Sequence, residues 1–152
     1  MHCGKLVNNM KIQYSHTLPV SRKVAFNTIL NPDSLKAAIP GCDSFEKTGT
    51  NCYSLSMKVQ IGAVKGIYTS TVNIIDIDAP NSLRMIVSGK GSGGTVRGDG
   101  IITFHESGQS TEILINGDAQ VTGIIARVGQ RLMGGASKTL LKRFFNSLVL
   151  NK

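Results

Sequence analysis

The stretch Leu83-Arg84-Met85-Ile86-Val87-Ser88-Gly89-Lys90-Gly91, followed by Val96-Arg97-Gly98-Asp99-Gly100-Ile101-Ile102-Thr103-Phe104, alternates apolar or small residues with polar ones along its whole length. Side chains of a strand point to opposite faces in turn. The odd positions of the first segment and the even positions of the second therefore form one face of a half-buried sheet. A third segment puts Ile113, Ile115, Gly117, Ala119 and Val121 on that face. Gly89, Gly91, Gly98, Gly100, Gly117 and Ala119 thus occupy an inner surface that a packed core would fill with Val, Ile or Phe. Such a sheet is either hollow or bent at its glycines, and the two demands coincide in ligand-binding β-structures.

Working outward, residues 10–17 read as a first strand with Ile12 and Tyr14 on one face. Ser21 opens a helix through Val24, Ala25, Thr28 and Ile29 that ends at Asn31-Pro32, and Asp33 is expected to cap a short second helix running to Ile39. Pro40-Gly41 breaks it. Strands follow over residues 42–47, 52–61, 64–76, 82–91, 95–105 and 110–121, punctuated by Ala79-Pro80-Asn81, Gly93-Gly94 and Ser107-Gly108 as an antiparallel meander would be. Residues 124–150 read as one long helix with the apolar stripe Ile125, Val128, Leu132, Ala136, Leu140, Phe144 and Leu148. Gly129, Gly134 and Gly135 are expected to let its first half bend or sit close to the sheet. The order β-α-α-β6-α defines an α+β, helix-grip fold, a curved antiparallel sheet of about seven strands around a long C-terminal helix. It is expected as a single domain over residues 1–152, with residues 1–9 loosely held.

The formal charge of +8 points to an acidic partner, but the basic residues are spread along the chain, Trp is absent and no aromatic interleaving supports a nucleic-acid face. No apolar run reaches membrane-spanning length, and Met1-His2-Cys3-Gly4-Lys5 lacks the apolar stretch of a signal peptide. The expected location is cytoplasmic. Cys3, Cys42 and Cys52 have no metal-type spacing; with Cys52 near Lys47 and Cys42 near Met57 across a hairpin, all three are expected to be free thiols. His2, His16 and His105 are scattered, so no metal site is expected. Gly89-Lys90-Gly91-Ser92-Gly93-Gly94 fits a dinucleotide fingerprint in letters only, because Thr95 onward alternates as a strand and not as a helix. Cys42 has no base beside it, and no acid/base set converges elsewhere, so no catalytic residue is assigned.

The candidate ligand-binding face is therefore the inner one. It takes Tyr53, Leu55, Met57 and Val59 from the third strand, Tyr68, Ser70 and Val72 from the fourth, and Met85 and Val87 from the fifth. Gly98, Ile102, Ile115, Gly117 and Ala119 continue it, and Leu132, Ala136 and Leu140 of the long helix close it. A solid core of the same residues is the competing arrangement. Turns at one end of the meander place a rim at Pro40, Gly41, Cys42, Gly62, Gly91, Gly93, Gly94 and Gly123. Basic residues of the long helix, Arg127, Arg131, Lys138, Lys142 and Arg143, are expected either to meet anionic lipid or an acidic partner or simply to be solvated.

Several pieces occur in an order that resembles a known family: Asn31-Pro32-Asp33-Ser34-Leu35, Ile39-Pro40-Gly41-Cys42, Lys58-Val59-Gln60-Ile61-Gly62-Ala63-Val64-Lys65-Gly66, Gly89 to Gly94 with Arg97-Gly98, then Gly129 and Phe144-Phe145. Together they resemble the carbon monoxide dehydrogenase CoxG family of the START and Bet v 1 superfamily. The resemblance implies a helix-grip fold with an apolar cavity, no covalently bound cofactor and no chemistry of its own. It further implies a noncatalytic accessory role beside a molybdenum-containing dehydrogenase, in maturation, recruitment to the inner face of the membrane, or electron delivery to membrane quinone. An isoprenoid quinone or a lipid is the implied ligand. An enzyme of the cyclase or hydrolase type using the same cavity, and a docking protein whose cavity stays empty, are the alternatives.

Overall fold

The computed structural model describes residues 7–61, 64–128 and 130–148, leaving aside the side chains of residues 7, 61, 64, 128 and 130–133. Seven strands form one antiparallel sheet in the order β1-β7-β6-β5-β4-β3-β2. They are β1 (Val7–Leu18), β2 (Cys42–Gly49), β3 (Cys52–Ile61), β4 (Val64–Asp78), β5 (Ser82–Gly91), β6 (Gly94–Ser107) and β7 (Ser110–Thr122). Each strand after β2 pairs with its predecessor, as short turns dictate, and β1 closes the sheet along β7 with Val7 opposite Thr122.

Between β1 and β2 lie α1 (Arg22–Leu30) and α2 (Pro32–Ala38). Ser21 caps α1, its hydroxyl accepting from the Val24 N–H at 3.3 Å. Asn31, and not the expected Asp33, caps α2: its side-chain oxygen accepts from the N–H groups of Asp33 at 2.9 Å and Ser34 at 3.4 Å. Pro32 explains the shift, because proline at the first helical position lacks the N–H that would otherwise need a partner and already holds helical φ. One asparagine thus ends α1 and starts α2.

The C-terminal segment departs from a single helix. Residues Gly123–Val128 form a 3-10 helix, and α3 runs over Gln130–Asn146. The Ile125 N–H donates to the Gly93 carbonyl at 3.0 Å, tying this turn to the β5–β6 hairpin, while the tighter winding buries the adjacent Ile125 and Ala126 together. Gly134 and Gly135 face open space, so they do not serve close packing on the sheet. The Val128 and Leu132 side chains of the expected stripe lie outside the described residues. Cys42 opposes Met57 as expected, but Cys52 opposes Gly49 in place of Lys47, since irregularities between Cys42 and Ser44 and between Lys47 and Gly49 each shift the ladder by a residue. Cys42 and Cys52 are free thiols, and Cys3 lies outside the described residues.

The main core gathers α1 and the far half of the sheet, with Phe26 edge-on to Phe104 at 5.1 Å between ring centroids. Thr111, fully buried, donates to the Val20 carbonyl at 2.9 Å and fixes the approach to α1. A second cluster under the other end joins Val59, Tyr68, Val121, Ile125, Ala126 and Ala136. The α3 helix packs on β1 and α2, and its Phe145 ring stacks with His16 at 5.1 Å and Tyr14 at 5.7 Å. Burial depresses the His16 pKa below its ordinary value, so the unfolded chain binds the proton more tightly than the folded one. Stability should therefore fall as the pH drops below about 6.5, the ordinary histidine value. In His16→Phe, urea titrations at neutral and mildly acidic pH should show a weaker decline than in the wild type.

Candidate functional site

Strand alternation delivers the inner face in rows. Val72, Val87, Gly98, Ala119 and Met10 stand in register across five strands, and the next row carries Ile74, Met85, Gly100, Gly117 and Ile12. Beneath these rows two apolar cavities of about 210 and 170 Å³ adjoin, sharing Met85, Val87, Ile102, Ile115 and Leu141. The larger is walled by Leu55, Met57, Ser70 and Val72 of the sheet, Phe45 of β2, Ile29, Leu35 and Ile39 of the helical pair, and Leu140, Leu141, Phe144 and Phe145 of α3. The smaller lies against Ile12, Gly98, Gly100 and Gly117. Ser70 supplies the hydroxyl of this lining, beside Gly89, whose absent side chain leaves it room. Asp99 and Asp118 border the smaller cavity, but alternation turns their side chains to the opposite face.

The glycines of the inner face divide by what a side chain would meet. At Gly98 a Cβ would meet nothing within 4 Å, so this glycine opens volume. At Gly117 it would lie 2.4 Å from the Asp99 carbonyl oxygen and 2.6 Å from the Gly100 Cα, so this one permits two backbones to approach. Both expected causes of a stripped face therefore operate, at neighbouring positions.

Of the expected binding residues, Leu55, Met57, Ser70, Val72, Met85, Val87, Gly98, Ile102, Ile115, Gly117 and Leu140 come together around the two cavities. Others are drawn elsewhere by packing. Tyr53 stacks on Phe45 at 5.1 Å within the main core. Val59, Tyr68 and Ala136 join the second cluster, and Ala119 is buried without bordering either cavity. Tyr68 lies across Gly91, whose Cβ would come within 2.8 Å of its ring; its hydroxyl is buried without a hydrogen-bond partner among the described residues, and burial raises its pKa. The Leu132 side chain lies outside the described residues. Sequence reasoning missed the helical wall of Ile29, Leu35, Ile39, Leu141 and Phe145, together with Ile12 and Phe45. Adjacent apolar pairs at 140–141 and 144–145 signalled a broader buried stripe on α3 than a single line of residues.

The rim also differs from expectation. Pro40 borders the larger cavity, and an outer vestibule of about 410 Å³ is formed by Pro40, Gly41, Lys58, Val59, Gln60, Leu140 and Arg143. Gly41 has φ +67°, a side chain there would collide with the Lys58 carbonyl, and its own carbonyl accepts from the Lys58 N–H at 2.8 Å. Cys42 packs on the main core instead of edging the opening, and burial raises its thiol pKa against the opposing pull of Lys36, with Asp43 adding to the rise. Gly91, Gly93, Gly94 and Gly123 border neither the cavities nor the vestibule, because the 91–94 hairpin is bound to the turn at Gly123 and covered by Tyr68 and Ile125. Gly62 lies outside the described residues.

A concavity of about 560 Å³ is a polar groove on the opposite face of the sheet. There Arg84 donates two hydrogen bonds to the Asp99 carboxylate at 2.8 and 2.6 Å and approaches Asp76 at 3.8 Å. The pairing raises the Arg84 pKa and lowers that of Asp99, so these charges are matched on the surface. Among the described residues no group of His, Cys, Asp and Glu could hold a metal ion, and no helix is long and apolar enough to cross a membrane.

A family model for the CoxG component of carbon monoxide dehydrogenase matches residues 16–151. Among solved structures, a conserved protein from Geobacillus kaustophilus is 29% identical and superposes with a TM-score of 0.87 over 91% of each chain. A START superfamily protein from Mycobacterium smegmatis, 9% identical, superposes with a TM-score of 0.70 over 90% of this chain and 92% of its own, and shows the shared fold. No curated protein sequence matches the chain.

The division of the glycines yields a paired prediction. Gly98→Leu should fill the smaller cavity and leave unfolding within about 1 kcal/mol of the wild type, whereas Gly117→Ala should lose about 1–3 kcal/mol by forcing β6 and β7 apart. Urea denaturation of the two variants measures this directly, and equal losses would contradict it.

Proposed function

The chain belongs to the carbon monoxide dehydrogenase CoxG family, and from that membership together with its chamber we propose that it is a noncatalytic carrier of an apolar ligand, an isoprenoid quinone or a lipid. It serves, in this reading, as an accessory to a molybdenum-containing dehydrogenase of the carbon monoxide dehydrogenase type, working peripherally at the inner face of the membrane. The observation that carries the proposal is the adjoining pair of cavities, walled by aliphatic, methionine and phenylalanine side chains with Ser70 as the single hydroxyl among them.

Their combined space falls within the roughly 300–1,000 Å³ typical of small-molecule sites. Methionine adapts its shape to a ligand, and Met57 and Met85 stand on opposite sides of the larger cavity's sheet wall. The Ser70 hydroxyl can orient a carbonyl oxygen. Among the described residues no general acid or base faces the chamber, since Asp99 is held by Arg84 on the other face. These features favour holding a molecule over transforming it.

Native mass spectrometry of gently purified protein, followed by organic extraction, should recover a quinone or a lipid. Added ligand should raise the melting temperature of the wild type, as any ligand selective for the folded state does. In Gly98→Leu, which reduces the chamber from the sheet side, that rise should shrink or vanish while the variant stays folded. A wild type that neither carries nor responds to quinones, fatty acids or isoprenoids would leave the carrier reading without support.

A further inference from the structure

Ile67 is 65% exposed on the outer face of β4, and its surroundings on the ladder are unusual in charge. Lys58 pairs with it directly across β3, Lys65 stands two residues earlier on the same face, and Lys90 pairs with Thr69, the next outward residue. Directly opposed residues have Cβ atoms about 5 Å apart and diagonal ones about 7–8 Å, so three lysines neighbour one isoleucine on this face. Gln60, Ser56, Thr69 and Thr95 complete these rows, none of them acidic. Among the described residues Arg84 alone forms ion pairs, so these lysines have no carboxylate holding them.

A second isoleucine projects from the same end. Ile124, also 65% exposed, precedes Ile125, whose N–H is bonded to the Gly93 carbonyl, and Arg127 is exposed in the same 3-10 turn. The 91–94 hairpin lies between the two isoleucines, for the Ile67 carbonyl oxygen would be 2.9 Å from a Cβ at Gly91. Lys58 also belongs to the vestibule outside the apolar chamber. The cationic patch and the cavity entrance are therefore contiguous.

We propose that this end of the molecule, centred on Ile67 within Lys58, Lys65 and Lys90 and extended by Ile124 and Arg127, docks on an anionic phospholipid surface. Apart from Arg127, the patch differs from the basic surface expected on the long helix, and the proposal rests on the carrier reading, to which it adds the surface that delivers the cavity mouth to the bilayer. Isolated isoleucines amid unpaired lysines match a fluid interface, where apolar side chains enter the headgroup layer and cations stay at its level. A rigid protein partner would instead need a contiguous apolar centre, and these two residues are separated by a hairpin.

The test is co-sedimentation of the full chain with vesicles of phosphatidylcholine alone or mixed with phosphatidylglycerol, at low and high salt. Binding should require phosphatidylglycerol and weaken with salt. Lys65→Ser and Lys90→Ser should each lower partitioning about fivefold. Ile67→Ser should lower it while leaving the salt dependence in place, and Lys47→Ser, at the far end of β2, should change nothing. Native mass spectrometry of each variant reads the chamber independently, so retained ligand with no vesicle binding overturns the docking proposal alone. Equal losses for Lys47→Ser would show unspecific charge attraction and overturn it. If wild type ignores the vesicles yet binds polyglutamate through Lys65 and Lys90, the surface serves an acidic protein and the lipid assignment is wrong.

Discussion

The pairing of β6 with β7, in which Gly98 faces Ala119 and Gly100 faces Gly117, is the constraint on which the rest of the molecule depends. Backbone atoms of the two strands come so close at Gly117 that no Cβ fits between them. The same missing side chains leave the concave side short of volume just where α3 passes. Hydrogen bonding along the ladder thus supplies the rigidity, and the void follows from how that rigidity is achieved. Helical side chains at 140, 141, 144 and 145 then wall the space from the other side without filling it.

Much of this was legible because a strand writes its orientation into alternate residues. Met85, Val87, Ile102 and Ile115 were assigned inward from period alone, and turn residues fixed where each strand reversed. The rim was not legible in the same way. Glycines at 91–94 and 123 look alike in a sequence, whether they permit motion or permit contact, and here the hairpin and the 3-10 turn are hydrogen-bonded together. Tyr68 shows a related limit: alternation places it inward, but the ring's length and the clearance over Gly91 carry it into the second cluster. Ile29, Leu35 and Ile39 escaped because α1 and α2 are too short for periodicity to show which side is covered, and Leu141 and Phe145 because they lie beside the single line of residues read as the stripe of α3.

Electrostatics follow the same topology. Hairpins place Asp76, Asp78, Glu106 and Glu112 toward one end of the meander, and Lys58, Lys65 and Lys90 toward the other. The net positive charge, spread evenly along the chain as a string, becomes polarised once the chain is folded back on itself. Arg84, Asp99 and Asp76 form an ion-paired cluster on the outer face between these ends.

The two walls of the chamber are joined differently, and this governs how it can adapt. The sheet wall is a continuous hydrogen-bonded ladder from β2 to β1, whereas α2 and α3 lie outside that ladder, packing on each other, α2 also on β2 and α3 on β1. Deforming the first breaks ladder hydrogen bonds; shifting the second leaves that ladder whole. Compliance is therefore one-sided. The helical wall is thus the adjustable side of the chamber, with Asn31 shared between α1 and α2, and the curvature of the sheet is its fixed template.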